Sequence, residues 1–102
     1  MKSTEVDVRN ERTFNGVINA DGTINRGVGF TLIRGSVGNY YIHFRGAKFV
    51  KSCVAQIALG GAGIITVYFP GGDTVNILAF SPGVASVDAS FTFTAIALMN
   101  SI

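Results

Sequence analysis

The stretch from Gly16 to Phe44, G-V-I-N-A-D-G-T-I-N-R-G-V-G-F-T-L-I-R-G-S-V-G-N-Y-Y-I-H-F, constrains the fold more than any other part of the chain. Its apolar and polar residues alternate, and glycine-bearing turns interrupt the alternation. A surface helix needs apolar residues three and four apart over several turns, and this stretch has no such pattern. Asp21-Gly22 signals a tight hairpin, because glycine readily adopts the positive φ that such turns require. Short antiparallel strands follow.

The same grammar continues to the end of the chain. Strands are expected over Thr13–Asn19, Thr23–Asn25, Phe30–Arg34, Asn39–Arg45, Cys53–Leu59, Ile64–Phe69, Thr74–Phe80 and Ala89–Leu98. Turns fall at Asn19–Gly22, Gly35–Gly38, Gly60–Gly63, Pro70–Asp73 and Ser81–Gly83. Arg26–Gly29 supplies a bulge or corner, and Val84–Asp88 a loop or short strand. Gly46–Lys51 reads as a connection, with Phe49 anchoring it to the core. Residues 1–12 read as a polar lead-in or linker, in which Val6 and Val8 alternate with charge, and residues 13–102 as one domain. Seven or eight short strands with turns every ~8–12 residues predict an all-β, antiparallel β-sandwich of jelly-roll-like form.

Charge is scarce and uneven. Only 14% of the 102 residues are charged, against a usual ~25%. Lys2, Glu5, Asp7, Arg9, Glu11 and Arg12 supply six of the fourteen charges, leaving eight for the other 90 residues. So small a body cannot cover its outside conventionally with so few charges: either its surface is rich in Ser, Thr, Asn and Gly, or, as is favoured here, some apolar surface is buried against copies of the chain. The net charge of +2 and the lack of a basic stripe give no footprint for a nucleic-acid partner. Arg34, Arg45, Lys48 and Lys51 read as solubilising charges at strand ends. No run reaches the ~18 apolar residues needed to cross a bilayer, so no membrane insertion is expected. The N-terminus lacks the apolar core of a signal peptide.

The last strand is apolar on both faces. Phe91, Phe93, Ala95 and Ala97 share one parity, and Thr92, Thr94, Ile96 and Leu98 share the other. A strand buried on one side only does not look like this. Either the chain's own lead-in or a loop covers the second face, or that face joins subunits. Ile96, Leu98, Thr92 and Thr94 are the interface candidates.

N-A-D-G-T-I at 19–24, G-x-G-F-T at 27–31, Arg34, G-N-Y-Y-I-H-F at 38–44, F-V-K-S-C-V-A at 49–55 and F-T-F-T-A-I at 91–96 together resemble a small β-sandwich domain. Domains of that kind end phage tail-fibre proteins and bacterial collagen-like or surface proteins. The chain is also similar to the compact trimeric lectin sandwiches of the H type. The resemblance covers most of residues 14–98. It implies a non-enzymatic homotrimeric head on a virion or extracellular surface, one that assembles or caps a fibre and contacts glycans or a receptor. No collagen-like Gly-X-Y repeat precedes the domain in this chain.

No residue pattern assembles an active site. His43 is the single histidine and Cys53 the single cysteine, so the fold uses no intrachain disulfide. Cys53 sits in an apolar segment, which favours an inert thiol over a nucleophile paired with His43. One cysteine and one histidine cannot close a zinc site within a chain, and no metal or other cofactor is expected. Asp21, Asp73 and Asp88 each adjoin a turn, where Asx-type bonding accounts for them. Gly60–Gly63 and Gly71-Gly72 lack the Lys-Ser/Thr pair and helix start of a phosphate loop. Tyr41 and Tyr68 are candidate exposed aromatics, useful for stacking on sugars. If the domain is a lectin, Tyr41, His43, Asn39 and Asp73 are its candidate ligand-binding residues.

Overall fold

The computed structural model describes residues 10–57, 64–80 and 86–100. The expected strand around Val6 and Val8, most of the lead-in, and the turns at Gly60–Gly63 and Ser81–Gly83 lie outside these residues. Eight strands are present: β1 (Glu11–Ile18), β2 (Ile24–Arg26), β3 (Phe30–Arg34), β4 (Asn39–Phe44), β5 (Ala47–Ile57), β6 (Ile64–Gly71), β7 (Thr74–Phe80) and β8 (Phe91–Met99). They form two antiparallel sheets, one ordered β2-β1-β8-β5 and the other β3-β4-β7-β6. The chain lays the β1–β2 hairpin in the first sheet and β3–β4 in the second. It then returns for β5, crosses again for β6 and β7, and ends with β8 between β1 and β5. The result is the expected jelly-roll-like sandwich.

The turns follow their residues. Asn19 and Thr23 close the β1–β2 hairpin, with Gly22 N–H donating to Asn19 O at 2.9 Å. Gly22 has a φ of 91°, and Asp21 Oδ1 accepts from the N–H and hydroxyl of Thr23. Those bonds hold the Asp21 carboxyl below its ordinary range, the Thr23 hydroxyl first.

Between the sheets lies an aromatic core. Phe44 packs its ring 4.9 Å from Phe14, 5.9 Å from Phe93 and 6.1 Å from Phe30, centroid to centroid. Phe30 meets Phe93 edge-on at 5.1 Å, and Tyr40 meets Phe91 likewise at 5.1 Å. Ile18, Ile42, Val75, Ile77, Ala95 and Ala97 complete the filling. Gly16 lies opposite Phe93 in the register, and a Cβ there would stand 2.4 Å from the Phe93 ring. The missing side chain is what lets that ring lie across β1.

Two segments depart from the sequence reading: Glu11 and Arg12, read as lead-in, open β1 opposite Leu98 and Ala97, and the second lies at the start of β5. Gly46–Lys51 is not a connection: β5 starts at Ala47, and Phe49 is not a core anchor but an outward residue opposite Leu98. The register shifts between Ala47 and Phe49 and again between Val50 and Ser52. Each bulge adds one residue, Lys48 and then Lys51, and so reverses the alternation that would have revealed a strand. Leu59 and its neighbour at 58, expected in the same strand, lie outside the described residues.

A polar clamp closes one end of the sandwich. Asp88 accepts from Arg34 Nε at 3.1 Å and from Gly38 N–H at 2.8 Å, and pairs with Arg34 Nη2. Tyr40 Oη donates to Ala20 O at 2.7 Å and accepts from Ala89 N–H at 3.1 Å. Among the described residues the Asp88 carboxylate thus bonds to the distant β3–β4 hairpin rather than within its own turn, where Asx bonding would have placed it. It ties the segment before β8 to the β3–β4 hairpin. The Arg34 guanidinium first, and then the Gly38 N–H, hold its carboxyl below the ordinary range. A depressed folded-state pKa contributes stability above the unfolded value of ~3.9 and loses it as pH falls through the folded value. Asp88→Asn is expected to melt lower than wild type at neutral pH and to fall less steeply on acidification from about pH 4 to 2. Parallel melting curves for the two proteins across that range would show that the carboxylate does no such work.

Candidate binding and assembly faces

Two outer faces remain after the core is filled. On the second sheet, Asn39, Tyr41 and His43 occupy successive outward positions of β4. Tyr41 lies directly opposite Asn76 of β7, and Asn76 lies directly opposite Tyr68 of β6. Directly opposed residues bring their Cβ atoms to ~4.5–5.5 Å, so the two tyrosines flank the asparagine. Tyr41 is 38% exposed and Tyr68 58%, whereas Asn76 is only 7% exposed although it points away from the core. Asn76 Nδ2 donates to Asn39 Oδ1 at 2.5 Å and to Tyr40 O at 3.0 Å. Asn39 Nδ2 in turn donates to Tyr41 Oη at 3.5 Å. The amides are thus fixed in place by the backbone and by one another.

Next to this row, His43 lies opposite Thr74, and its Nε2 stands 2.7 Å from Asp73 Oδ2. Asp73 enters through the tight Gly71-Gly72 turn, accepts from the Thr74 hydroxyl at 3.1 Å, and accepts the Phe44 N–H at its carbonyl, 2.9 Å away. All four sequence candidates, Tyr41, His43, Asn39 and Asp73, therefore share one face. Asn76 was not singled out from the sequence. An asparagine in a strand is ordinary, and its value depends on which residues stand across from it. Tyr68 was recognised as an exposed aromatic, but its place beside Tyr41 was not legible.

The first sheet presents the other face. Here β8 is central, and Thr92, Thr94, Ile96 and Leu98 point outward. Thr94 is exposed, and its hydroxyl donates to Asn15 Oδ1 at 2.9 Å. Thr92, Ile96 and Leu98 are half-buried. Glu11 on β1 and Lys51 on β5 form an ion pair that spans β8. Phe49, directly opposite Leu98, is 42% exposed, and Val54, opposite Thr94, is 70% exposed. β5 is also an edge strand among the described residues. Its first half carries Lys48, Lys51 and two bulges, the usual protection of an edge. The second half, Cys53–Ile57, carries neither a charge nor a bulge.

Cys53 faces the core side of β5, and burial pushes its thiol up to about 11, so little thiolate exists at neutral pH. It lies between the sheets, while His43 lies on the far side of the second one, so the two cannot act together. Among the described residues, no three His, Cys, Asp or Glu side chains are placed to share a metal ion. Comparison with protein families, with curated proteins and with solved structures finds no match.

Proposed function

We propose that this chain is a non-enzymatic assembly and adhesion module, in which three copies bury the β5–β8 face of the first sheet against one another and turn the second sheet outward. The observation that carries this reading is the apolar strip formed by Phe49, Leu98, Ile96 and Val54 on adjacent strands, beside a strand that is an edge of its sheet among the described residues. Apolar surface gains ~25 cal/mol per Å² on burial, and a domain of this size buries too little of its own surface to forgo that gain. Thr92 and Thr94 supply the polar end of the same face. The turn glycines and core aromatics resemble those of tail-fibre and collagen-like surface heads, which supports a place at the tip of a fibre, on a virion or an extracellular surface.

Val54 tests this cleanly, because an exposed strand residue contributes little to the isolated fold. Light scattering of the wild type should give three times the 10.7 kDa chain mass. Val54→Asp should give the single-chain mass with an unchanged far-ultraviolet circular dichroism spectrum. A wild type that remains single at high concentration, or a Val54→Asp protein that remains trimeric, overturns the proposal.

A further inference from the structure

We infer that the Tyr41–Asn76–Tyr68 row of the second sheet is a carbohydrate-binding platform, with the ring faces taking the apolar side of a sugar, Asn76 forming the floor, and the Asn39 amide and the His43–Asp73 pair taking its hydroxyls. This deepens the adhesion half of the proposed function and does not depend on the assembly half. Neighbouring strands lie ~4.8 Å apart, so Tyr41 and Tyr68, with β7 between them, are separated by about 9–10 Å at the backbone. A di- or trisaccharide covers that span. A pyranose ring has a C–H face that packs on an aromatic ring and a rim of hydroxyls that both donate and accept. The face offers both kinds of partner, the rings of Tyr41 and Tyr68 and, beside them, Asn39, His43 and Asp73.

Three observations favour a sugar over other occupants. No Lys or Arg lies opposite Tyr41, Asn76 or Tyr68 in the paired registers, Arg45 coming only past the end of β4, so a phosphate seated on the row would find no cation across from it. A proline-rich peptide docks in a slot between aromatic ridges, and here a hydrogen-bonded asparagine fills the floor between the rings. The polar groups are also already positioned: Asn76 by Tyr40 O, Asn39 by Asn76, and His43 by Asp73. A ligand would not have to order them, and ordering side chains is a main cost of binding.

The full chain should be applied to an oligosaccharide array and, in parallel, to an array of proline-rich peptides. The expected result is retention by at least one oligosaccharide. Titration of that oligosaccharide into the isotope-labelled chain should then shift the amide resonances of β4, β6 and β7. Tyr68→Ala should weaken binding about tenfold and leave the molar mass unchanged. Val54→Asp should leave the single-site affinity in solution unchanged, which separates this site from the assembly face. The inference is overturned by an oligosaccharide array without hits, by a hit that Tyr68→Ala retains in full, or by retention on peptides alone. It is also overturned if Tyr68→Ala changes the molar mass, which would make the row a subunit contact.

Discussion

Phe44→Ala is expected to leave the chain largely unfolded at physiological temperature. The Phe44 ring is fully buried and touches Phe14, Phe30 and Phe93, so it joins rings from both sheets. Truncating a buried phenylalanine costs about 3–5 kcal/mol, because the lost transfer energy adds to an unfilled cavity. A domain has about 5–15 kcal/mol in all, and a small one lies toward the low end. The neighbours cannot collapse into the space easily, since Phe30 and Phe93 already hold each other edge-on. Each kcal/mol moves the midpoint of a domain of this size by about 4–8 °C, so the drop should be at least ~12 °C. Phe44→Leu keeps most of the volume and should lose far less. Thermal melts showing equal loss for both variants would mean that ring geometry, rather than volume, governs this core.

Gly38→Ala should be nearly as damaging, although it adds a single methyl group. Gly38 has a φ of +72°, a region that costs a residue with a Cβ about 1–2 kcal/mol. The new Cβ would also stand 2.6 Å from Ala79 O and 2.7 Å from Val87 O. Both are backbone atoms that cannot rotate away, and overpacking of this kind costs a further ~1–3 kcal/mol. The same residue donates its N–H to Asp88 and accepts from Ala79 N–H, so any shift also strains the clamp. The combined loss is about 2–5 kcal/mol by chemical denaturation. A Gly38→Ala protein within ~0.5 kcal/mol of wild type, the range of ordinary surface changes, would refute this account of the turn.

Alternation made much of the architecture legible before any coordinates. Phe91, Phe93, Ala95 and Ala97 are all buried, and Tyr40, Ile42 and Phe44 are buried while Tyr41 and His43 face outward. Parity alone fixed those assignments, because side chains in an unbroken strand must alternate. It failed in the first half of β5, where the two lysine bulges reset the alternation and hid the start of the strand and the true side of Phe49, while Cys53–Ile57 was read as strand. It also could not say that Asp88 meets Arg34, 54 positions away, since a lone aspartate in a loop carries no sign of its distant partner. The outward row of the second sheet divides the same way. Asn39, Tyr41 and His43 share a face by parity, and Asp73 was flagged for its turn. The meeting of Tyr41, Asn76 and Tyr68 depends on the pairing of β4, β7 and β6, and register across non-local strands is not written in any one of them.

The pairing of β1 with β8 has a mechanical consequence. These strands run antiparallel, with Glu11 opposite Leu98 and Met99 N–H donating to Asn10 O at 2.8 Å, so the start of β1 and the end of β8 lie at the same end of the first sheet. Tension applied through the two would load the rungs of their ladder one after another, like a zipper, rather than all at once. The module should therefore yield at low force when pulled by both ends, and hold far better when tethered by one end and loaded through its outward sheet.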